Sequence, residues 1–268
     1  MKVAVMGMGS IGSRHAENLL LLGHRVVEYD LYKTSSGLDD VLDCDAAVIA
    51  TPTRTHRALH SEFFGTNIPI FMEKPIFDQP GSIRNIVMVG YNLRFHECVK
   101  WAKERVSLIG TPLTALFYCL QHNDRPDYMR DGVVLNWSHE IDLALYLLGP
   151  ADLDGCYGDQ IDAYINVRHD SGLLTNIHLD YTTKPERRGF VIAGVNGVIR
   201  CDLIKREITL SVGGSDSQGL VAQDSWSDNY LEEMKAFIER VNGQETIGCT
   251  AGEACKVLDI CLEANKTL

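Results

Sequence analysis

The chain has 268 residues, 45% of them hydrophobic and 23% charged, so it is long enough for two domains with well-buried cores. Its formal net charge of −11 excludes nucleic acid as an expected partner, because no basic field would attract phosphates. The sequence contains no apolar run long enough to span a bilayer and begins without a signal-peptide pattern. We therefore expect a cytoplasmic protein without a membrane partner.

The start of the chain has the order strand, glycine turn, helix, strand. Lys2–Met6 is β-rich and is followed by the GxGxxG sequence of residues 7–12. A helical pattern covers Ser13–Leu22, and a second predicted strand, His24–Tyr29, ends at Asp30. This acidic residue stands about 20 residues after the last glycine, as in dinucleotide-binding folds. The alternative is a structural turn, with Asp30 as an ordinary residue at a strand end.

Each glycine of this turn has its own predicted task. Gly7 permits the tight turn, Gly9 lets the backbone approach a pyrophosphate, and Gly12 lets the helix pack against the strand. The N–H groups at the helix start, near Ser10 and Ile11, favour phosphate oxygens. A carboxylate at position 30 accepts hydrogen bonds from ribose hydroxyls and repels a 2′-phosphate. The pattern therefore predicts NAD as the cofactor. NADP is the alternative cofactor, since Lys33 would soften that repulsion.

Strands and helices continue to alternate up to about residue 90. The apolar runs Ala46–Ala50, Ile68–Met72 and Asn85–Gly90 are predicted strands, and Arg54–Phe64 is a predicted helix with Thr53 as its N-cap. Such alternation is typical of a parallel, doubly wound sheet.

After about residue 108 the pattern changes. One helix is predicted over Val133–Leu148, and two amphipathic helices close the chain. We expect an α/β protein with a Rossmann domain at residues 1–108 and a C-terminal α+β domain, built on a mostly antiparallel open sheet, at residues 109–268. The strands predicted for that sheet are Leu113–Gln121, Ala163–His169, Leu173–Tyr181, Gly189–Ala193, Gly197–Asp202 and Glu207–Val212.

Several motifs occur in the order found in the Gfo/Idh/MocA oxidoreductases, and the chain resembles this family over nearly its whole length. The motifs are residues 7–15, Ala50-Thr51-Pro52 with His56, Glu73-Lys74-Pro75, Val89-Gly90-Tyr91-Asn92 with Arg94, and Ser138-His139-Glu140-Ile141-Asp142. The resemblance implies an NAD(P)-dependent oxidation or reduction of a hydroxyl or keto group on a sugar, cyclitol or sugar nucleotide. It also implies a homodimer or homotetramer formed through the C-terminal sheet.

Lys74 is the first candidate for catalysis. It follows a parallel strand at the edge where ligands of such sheets bind, and a lysine with a lowered pKa can carry the hydroxyl proton. The resemblance gives it this role; the alternative is a surface lysine at a strand end. Similar proteins often have a cis bond between Lys74 and Pro75. His15 and His56 are expected to serve packing or capping.

The resemblance makes His139 the second catalytic candidate and Asn136 the third. Many relatives have an aspartate where this chain has Asn136 or Leu135, and asparagine supplies no charge to tune a neighbour. Asp142 is expected to orient the helix or a neighbouring side chain. The predicted cofactor-binding residues are Gly7, Gly9, Ser10, Ile11, Gly12, Asp30, Thr51, Pro52, Glu73 and Lys74, and the predicted substrate-binding residues are Lys74, Tyr91, Arg94, Asn136 and His139.

Some interpretations stay open at this stage. Tyr91 and Arg94 either bind substrate oxygens or join the domains. The segments 30–46 and 75–87 are shorter than is usual in such proteins, and together with Asn136 they motivate a second hypothesis, a non-catalytic sensor of NAD(H) or a sugar. A third is an NAD-dependent glycosidase. The eight scattered cysteines are expected to be reduced, and no metal site is predicted.

Overall fold

The computed structural model describes residues 1–123, 132–214 and 217–268, which form two compact units. The first unit contains Met1–Phe95 and Ser225–Leu258, and the second contains His96–Asp224 and Asp259–Leu268. The contacts therefore group a late part of the chain with the nucleotide-binding fold. The predicted functional division after residue 108 stays a prediction.

The described strands form two sheets, and helices surround them. The strands are β1 (Lys2–Met6), β2 (Arg25–Tyr29), β3 (Ala46–Ile49), β4 (Ile70–Met72), β5 (Ile86–Val89), β6 (Pro112–Leu120), β7 (Ala151–Gly158), β8 (Asp162–His169), β9 (Leu174–Asp180), β10 (Arg187–Gly194), β11 (Gly197–Asp202), β12 (Glu207–Val212) and β13 (Gln218–Val221). The helices are α1 (Ser10–Leu21), α2 (Leu38–Leu42), α3 (Thr53–Ser61), α4 (Glu97–Arg105), α5 (His139–Leu148), α6 (Trp226–Val241) and α7 (Ala251–Asn265), with 3-10 turns at Asn92–Phe95 and Val106–Ile109.

The first unit is built on a parallel sheet with the strand order β2-β1-β3-β4-β5. Strands β1, β3 and β4 are nearly continuous runs of buried apolar residues, as expected where helices cover both faces. The core joins the sheet to α1 and α6, and Phe71 meets Phe237 of α6 edge to face at 5.6 Å. This sheet confirms the Rossmann part of the predicted fold.

The helix boundaries of this unit correct two details of the sequence analysis. Helix α1 begins at Ser10 and not at Ser13, because the glycine turn itself continues into the first helical turn. Pro52, with ψ 139°, occupies the N-cap position of α3, so Thr53 is the first helical residue and not the cap.

The second unit contains a sheet with the strand order β13-β12-β11-β10-β6-β9-β8-β7. Its pairs are antiparallel except for β6 with β9, which confirms the predicted mostly antiparallel sheet. Strands β7 and β13 and helix α4 were not predicted. The strands have one buried face, where Phe117 and Phe190 stack at 5.3 Å.

The helix predicted over Val133–Leu148 is divided in the structure. Residues 132–136 are helical, a turn follows at 137–138, and α5 begins at His139. Helix α5 lies on the buried face of the sheet, where Ile141 and Ala144 are fully buried. In the part of the chain that the structure describes, no helix is long and apolar enough to cross a bilayer.

Candidate functional site

The predicted site residues of the first unit share one edge of the parallel sheet. Gly7 follows β1, Asp30 follows β2, Thr51 follows β3, Lys74 follows β4 and Gly90 follows β5. The carboxyl ends of parallel strands are where open α/β sheets bind their ligands. The sheet thus gathers residues from five separate stretches of the sequence.

The glycine turn has the backbone form that a pyrophosphate requires. Gly7 has φ +93°, and a Cβ placed there would lie 2.8 Å from the Ala50 carbonyl oxygen. A Cβ at Gly12 would lie 1.7 Å from the Gly7 oxygen, so this glycine permits the close contact between α1 and β1. No described atom lies within 4 Å of a Cβ placed at Gly9, and no described side chain caps α1. The exposed N–H groups at Ser10 and Ile11 therefore fit the phosphates of a dinucleotide.

Asp30 lies directly against this turn. Its carboxylate accepts hydrogen bonds from the Met8 N–H (2.8 Å) and the Tyr32 N–H (3.0 Å), and these bonds hold its pKa below the usual value. The side chain of Lys33 donates to the Met8 carbonyl at 2.5 Å. The backbone N–H and carbonyl groups of Met8 are thus both hydrogen-bonded to the segment after β2. Sequence reasoning missed this use of Lys33, which was considered only as a partner for a 2′-phosphate.

His56 joins two segments of the site. Its Nε2 lies 2.8 Å from the Thr51 carbonyl oxygen, and its Nδ1 lies 3.1 Å from that of Pro75 and 3.2 Å from that of Ile76. The imidazole is almost completely buried, which lowers its pKa, while the carbonyl oxygens around it favour the protonated form. The histidine therefore ties the residues after β3 to the chain that follows Lys74.

Glu73 is bound from two sides. Its Oε1 lies 2.8 Å from Nε2 of His15 on α1, and its Oε2 accepts the Lys74 main-chain N–H at 3.1 Å. The Lys74–Pro75 bond is cis. His15 is fully buried and meets the Phe71 ring edge to face at 5.2 Å. The side chains of Lys74 and Glu73 are both partly exposed.

The carboxylate of Glu233, on α6, belongs to the same group of side chains. Ligand atoms of His15, Glu73 and Glu233 all lie within 4.8 Å of one another, and this arrangement of an imidazole and two carboxylates is of a kind that can hold a metal ion. Glu233 is fully buried. Sequence reasoning did not identify it, because it lies far along the chain in an amphipathic helix and carries no motif.

Arg94 lies in the 3-10 turn that follows β5, and Tyr91 lies just before this turn. Both residues are buried. The guanidinium of Arg94 donates to Glu253 of α7 at 3.1 Å, and this carboxyl has a pKa below its usual value, since the arginine charge and Thr250 outweigh its burial. Arg94 therefore ties the turn to the C-terminal helices within the first unit. Substrate contact by Tyr91 or Arg94 stays a prediction.

Asn136 and His139 belong to the second unit. The side-chain amide of Asn136 donates to the Gly132 carbonyl at 2.9 Å, one helical turn earlier, and His139 is the first residue of α5. The next residue, Glu140, is 1% exposed and forms a double ion pair with Arg188 of β10, at 2.7 and 3.1 Å. This pair fixes the first turn of α5. Residues 124–131, which precede this helical segment, lie outside the described residues.

Comparisons with known proteins agree with this architecture. A family model described as "Oxidoreductase family, NAD-binding Rossmann fold" matches residues 24–90. Myo-inositol 2-dehydrogenase of Thermotoga maritima is 26% identical over an alignment that covers 100% of this chain and 96% of the relative. The scyllo-inositol 2-dehydrogenase (NAD(+)) of Bacillus subtilis is 24% identical, over 99% of this chain and 93% of the relative.

Solved structures share the fold over its full length. UDP-N-acetylglucosamine 3-dehydrogenase from Acidithiobacillus ferrooxidans matches with a TM-score of 0.85 at 18% identity, covering 100% of this chain and 97% of that one. Levoglucosan dehydrogenase in complex with NADH matches with a TM-score of 0.83 at 15% identity, with the same coverage.

The class of protein is thus an oxidoreductase with an NAD-binding Rossmann unit. The family model and the inositol dehydrogenase relatives confirm the resemblance to the Gfo/Idh/MocA oxidoreductases that the motifs predicted. The alignment with the Thermotoga maritima relative extends over 329 positions, more than the 268 residues of this chain, so the relative has segments that this chain lacks.

Proposed function

We propose that the protein is an NAD-dependent dehydrogenase or reductase that acts on a hydroxyl or keto group of a sugar, cyclitol or sugar nucleotide. The observation that carries this proposal is the meeting of the open glycine turn, Asp30 and Lys74 at one edge of the parallel sheet. Relatives named as inositol and sugar dehydrogenases support the substrate class.

The residues of the first unit fit the cofactor. The N–H groups after Gly9 would hold the pyrophosphate, and Asp30 would accept ribose hydroxyls while its bonds to the Met8 and Tyr32 amides keep it ionised. A 2′-phosphate would meet this carboxylate, so we propose NAD as the preferred coenzyme over NADP. Thr51 and Pro52 complete the proposed set. Bound NAD supplies the hydride acceptor, and NADH the donor in the reverse direction.

The protein itself must move a proton. Oxidation of an alcohol releases the hydroxyl proton as the carbon–hydrogen bond breaks, and we assign this proton to the Lys74 amine. We propose that His139 shares in the proton transfer, and that Asn136, Tyr91 and Arg94 bind substrate oxygens. Asn136 orients a hydroxyl by hydrogen bonding only, since an amide cannot take the proton.

The first test compares wild type with Lys74→Met. We expect turnover of any accepted polyol or sugar to fall at least about 1,000-fold, within the range that a positioned acid–base group contributes, with NADH affinity changed less than about twofold. Turnover is followed by cofactor absorbance and affinity by calorimetry, with Lys100→Met on α4 as the control. Unreduced turnover in Lys74→Met would remove the assigned role.

The same experiment separates the alternative functions. Tight NADH binding without cofactor oxidation or reduction across a broad polyol and sugar panel would favour a sensor. Hydrolysis of a glycoside without net NADH formation would favour an NAD-dependent glycosidase. Titration with both NADH and NADPH checks the coenzyme preference, and tighter binding of NADPH would reverse it.

Assembly and location are also part of the proposal. We propose a homodimer or homotetramer formed through the open face of the second unit's sheet, and a cytoplasmic location. All eight cysteines lie among the described residues and none forms a disulfide, which supports a reducing compartment.

A further inference from the structure

We infer that Glu73 and His15 act together as positioning residues for Lys74. This inference rests on the proposed role of Lys74 as proton carrier. Glu73 itself was predicted to bind the cofactor, but each of its carboxylate oxygens has a protein partner, His15 for Oε1 and the Lys74 main chain for Oε2. The carboxylate thus links the helix that begins at the glycine turn to the backbone of the proposed proton carrier.

The pair is rigid at its far end. His15 is fully buried on α1, and its ring contacts Phe71 at 5.2 Å and Tyr230 at 6.0 Å, both in edge-on geometry. These packing contacts restrict how far the imidazole can move with the carboxylate. Its hydrogen bond to Glu73 therefore transmits the position of α1 to the main chain at residue 74. On the other side of Lys74, His56 holds the carbonyl groups of Pro75 and Ile76.

Gly90 shows how tightly the carboxylate is enclosed. A Cβ placed at this residue would lie 2.9 Å from Cδ of Glu73, 2.9 Å from Oε2 and 3.0 Å from Oε1. Residue 90 is therefore a glycine because the Glu73 carboxylate occupies the space of its side chain. The φ angle of Gly90 is not in the positive region, so alanine can adopt the same backbone. Gly90→Ala would displace the carboxylate and leave its chemistry intact.

This geometry gives a set of matched variants. We expect Glu73→Ala to lower kcat about 100-fold, the effect of misplacing a catalytic group by roughly an ångström. Glu73→Gln keeps an acceptor for the Lys74 N–H, so kcat should recover to within about tenfold of wild type. Gly90→Ala should lower kcat about tenfold or more, with the KM for NAD and the NADH affinity within about twofold of wild type. The drop in kcat without a change in coenzyme binding is the signature of positioning.

The control for Gly90→Ala is Gly248→Ala. Gly248 is buried in the same unit, and its added Cβ would displace the end of the Met88 side chain, at 2.5 Å, in place of a carboxylate. We expect kcat of Gly248→Ala to stay within about twofold of wild type. For the histidine, the kcat of His15→Ala is compared with that of His60→Ala. The His60 ring is also buried, but it forms its hydrogen bond with the Arg84 carbonyl and not with Glu73.

A second measurement is independent of turnover. Reductive ¹³C-methylation of lysines gives NMR signals for each amine, and the Lys74 signal is assigned by its absence in Lys74→Met. We expect this signal to shift in Glu73→Ala and Gly90→Ala and to stay in place in Gly248→Ala. The inference is wrong if the Lys74 signal is unmoved in both Glu73→Ala and Gly90→Ala. It is also wrong if these two variants keep wild-type kcat, or if they lose coenzyme affinity in parallel with kcat. If instead Lys74→Met retains turnover, it is the proposed function that fails.

Discussion

At the scale of single residues, burial favours the neutral form of three histidines, His56, His60 and His169. His169 of β8 is 3% exposed; its Nδ1 lies 2.8 Å from the Gly149 carbonyl oxygen, and its Nε2 lies 3.0 Å from the Thr175 hydroxyl. The neutral ring satisfies both partners, donating to the carbonyl and accepting from the hydroxyl. Burial lowers the pKa of His169 below its ordinary value of 6.5, and the same holds for His56 and His60.

This lowered pKa predicts how stability depends on pH. Below about pH 6.5 the unfolded chain takes up a proton at residue 169 that the folded chain refuses, so stability is lost as the pH falls. Between pH 7.5 and 5.5 we expect wild type to lose about 1 kcal/mol more unfolding free energy than His169→Gln does. Urea denaturation at the two pH values measures both. Equal losses would mean that the pKa of this histidine is the same in the folded and unfolded protein.

At the scale of elements, the strand–turn–helix unit at the N-terminus separates two uses of glycine. Gly12 serves packing, since its Cβ would strike the Gly7 backbone oxygen, which cannot move aside as a flexible side chain can. Gly9 has open space beside it among the described residues, and we propose that this space receives the ligand. A single sequence motif therefore contains one position that maintains the fold and one that leaves room for phosphate.

Alanine substitutions distinguish these two uses. We expect Gly12→Ala to cost about 3 kcal/mol of unfolding free energy, the upper range for overpacking a core contact. Gly9→Ala should change stability by less than about 1 kcal/mol and weaken NADH binding about tenfold or more. Thermal melts and calorimetry measure the two effects, with Gly252→Ala in α7, also beside open space, as the control. Wild-type NADH affinity in Gly9→Ala would show that the phosphates lie elsewhere.

At the scale of the whole molecule, the second unit's sheet has a face suited to association. Leu116, Tyr118, Val191, Tyr164 and His178 lie on neighbouring strands with side chains directed to this face, as their pairing register requires. Leu116 is 41% and Tyr164 48% exposed, and Tyr164 stacks on His178 at 4.0 Å. An exposed patch of apolar and aromatic side chains on a sheet is typical of a protein interface.

Light scattering tests the proposed oligomer directly. We expect a mass that is two or four times the chain mass of 29.8 kDa, and a shift toward monomer in Leu116→Lys, since a buried charge without a partner opposes association. Leu113→Lys is the control, because Leu113 is exposed on β6 with its side chain on the opposite face. A wild-type mass of one chain would contradict the proposal.

The sequence alone was sufficient for the features that local pattern encodes. Strand β1, the glycine turn and Asp30 follow one another within thirty residues, and the apolar runs of β3 and β4 mark buried parallel strands. The prediction of a Rossmann sheet joined to a mostly antiparallel sheet was confirmed for this reason: period and turn chemistry are properties of short segments. The family motifs then indicated which residues at the strand ends to consider.

Only the tertiary structure could decide which distant residues meet. His15 and Glu73 are joined by a hydrogen bond although 58 positions separate them, Glu233 joins their group from a C-terminal helix, and Arg188 pairs with Glu140 across 48 positions. The local sequence pattern predicts whether a side chain on a helix or strand is buried. The partner of that side chain depends on how the elements pack. The sequence therefore determined the parallel sheet and the edge of the proposed site, and packing determined which groups contact the segment around Lys74.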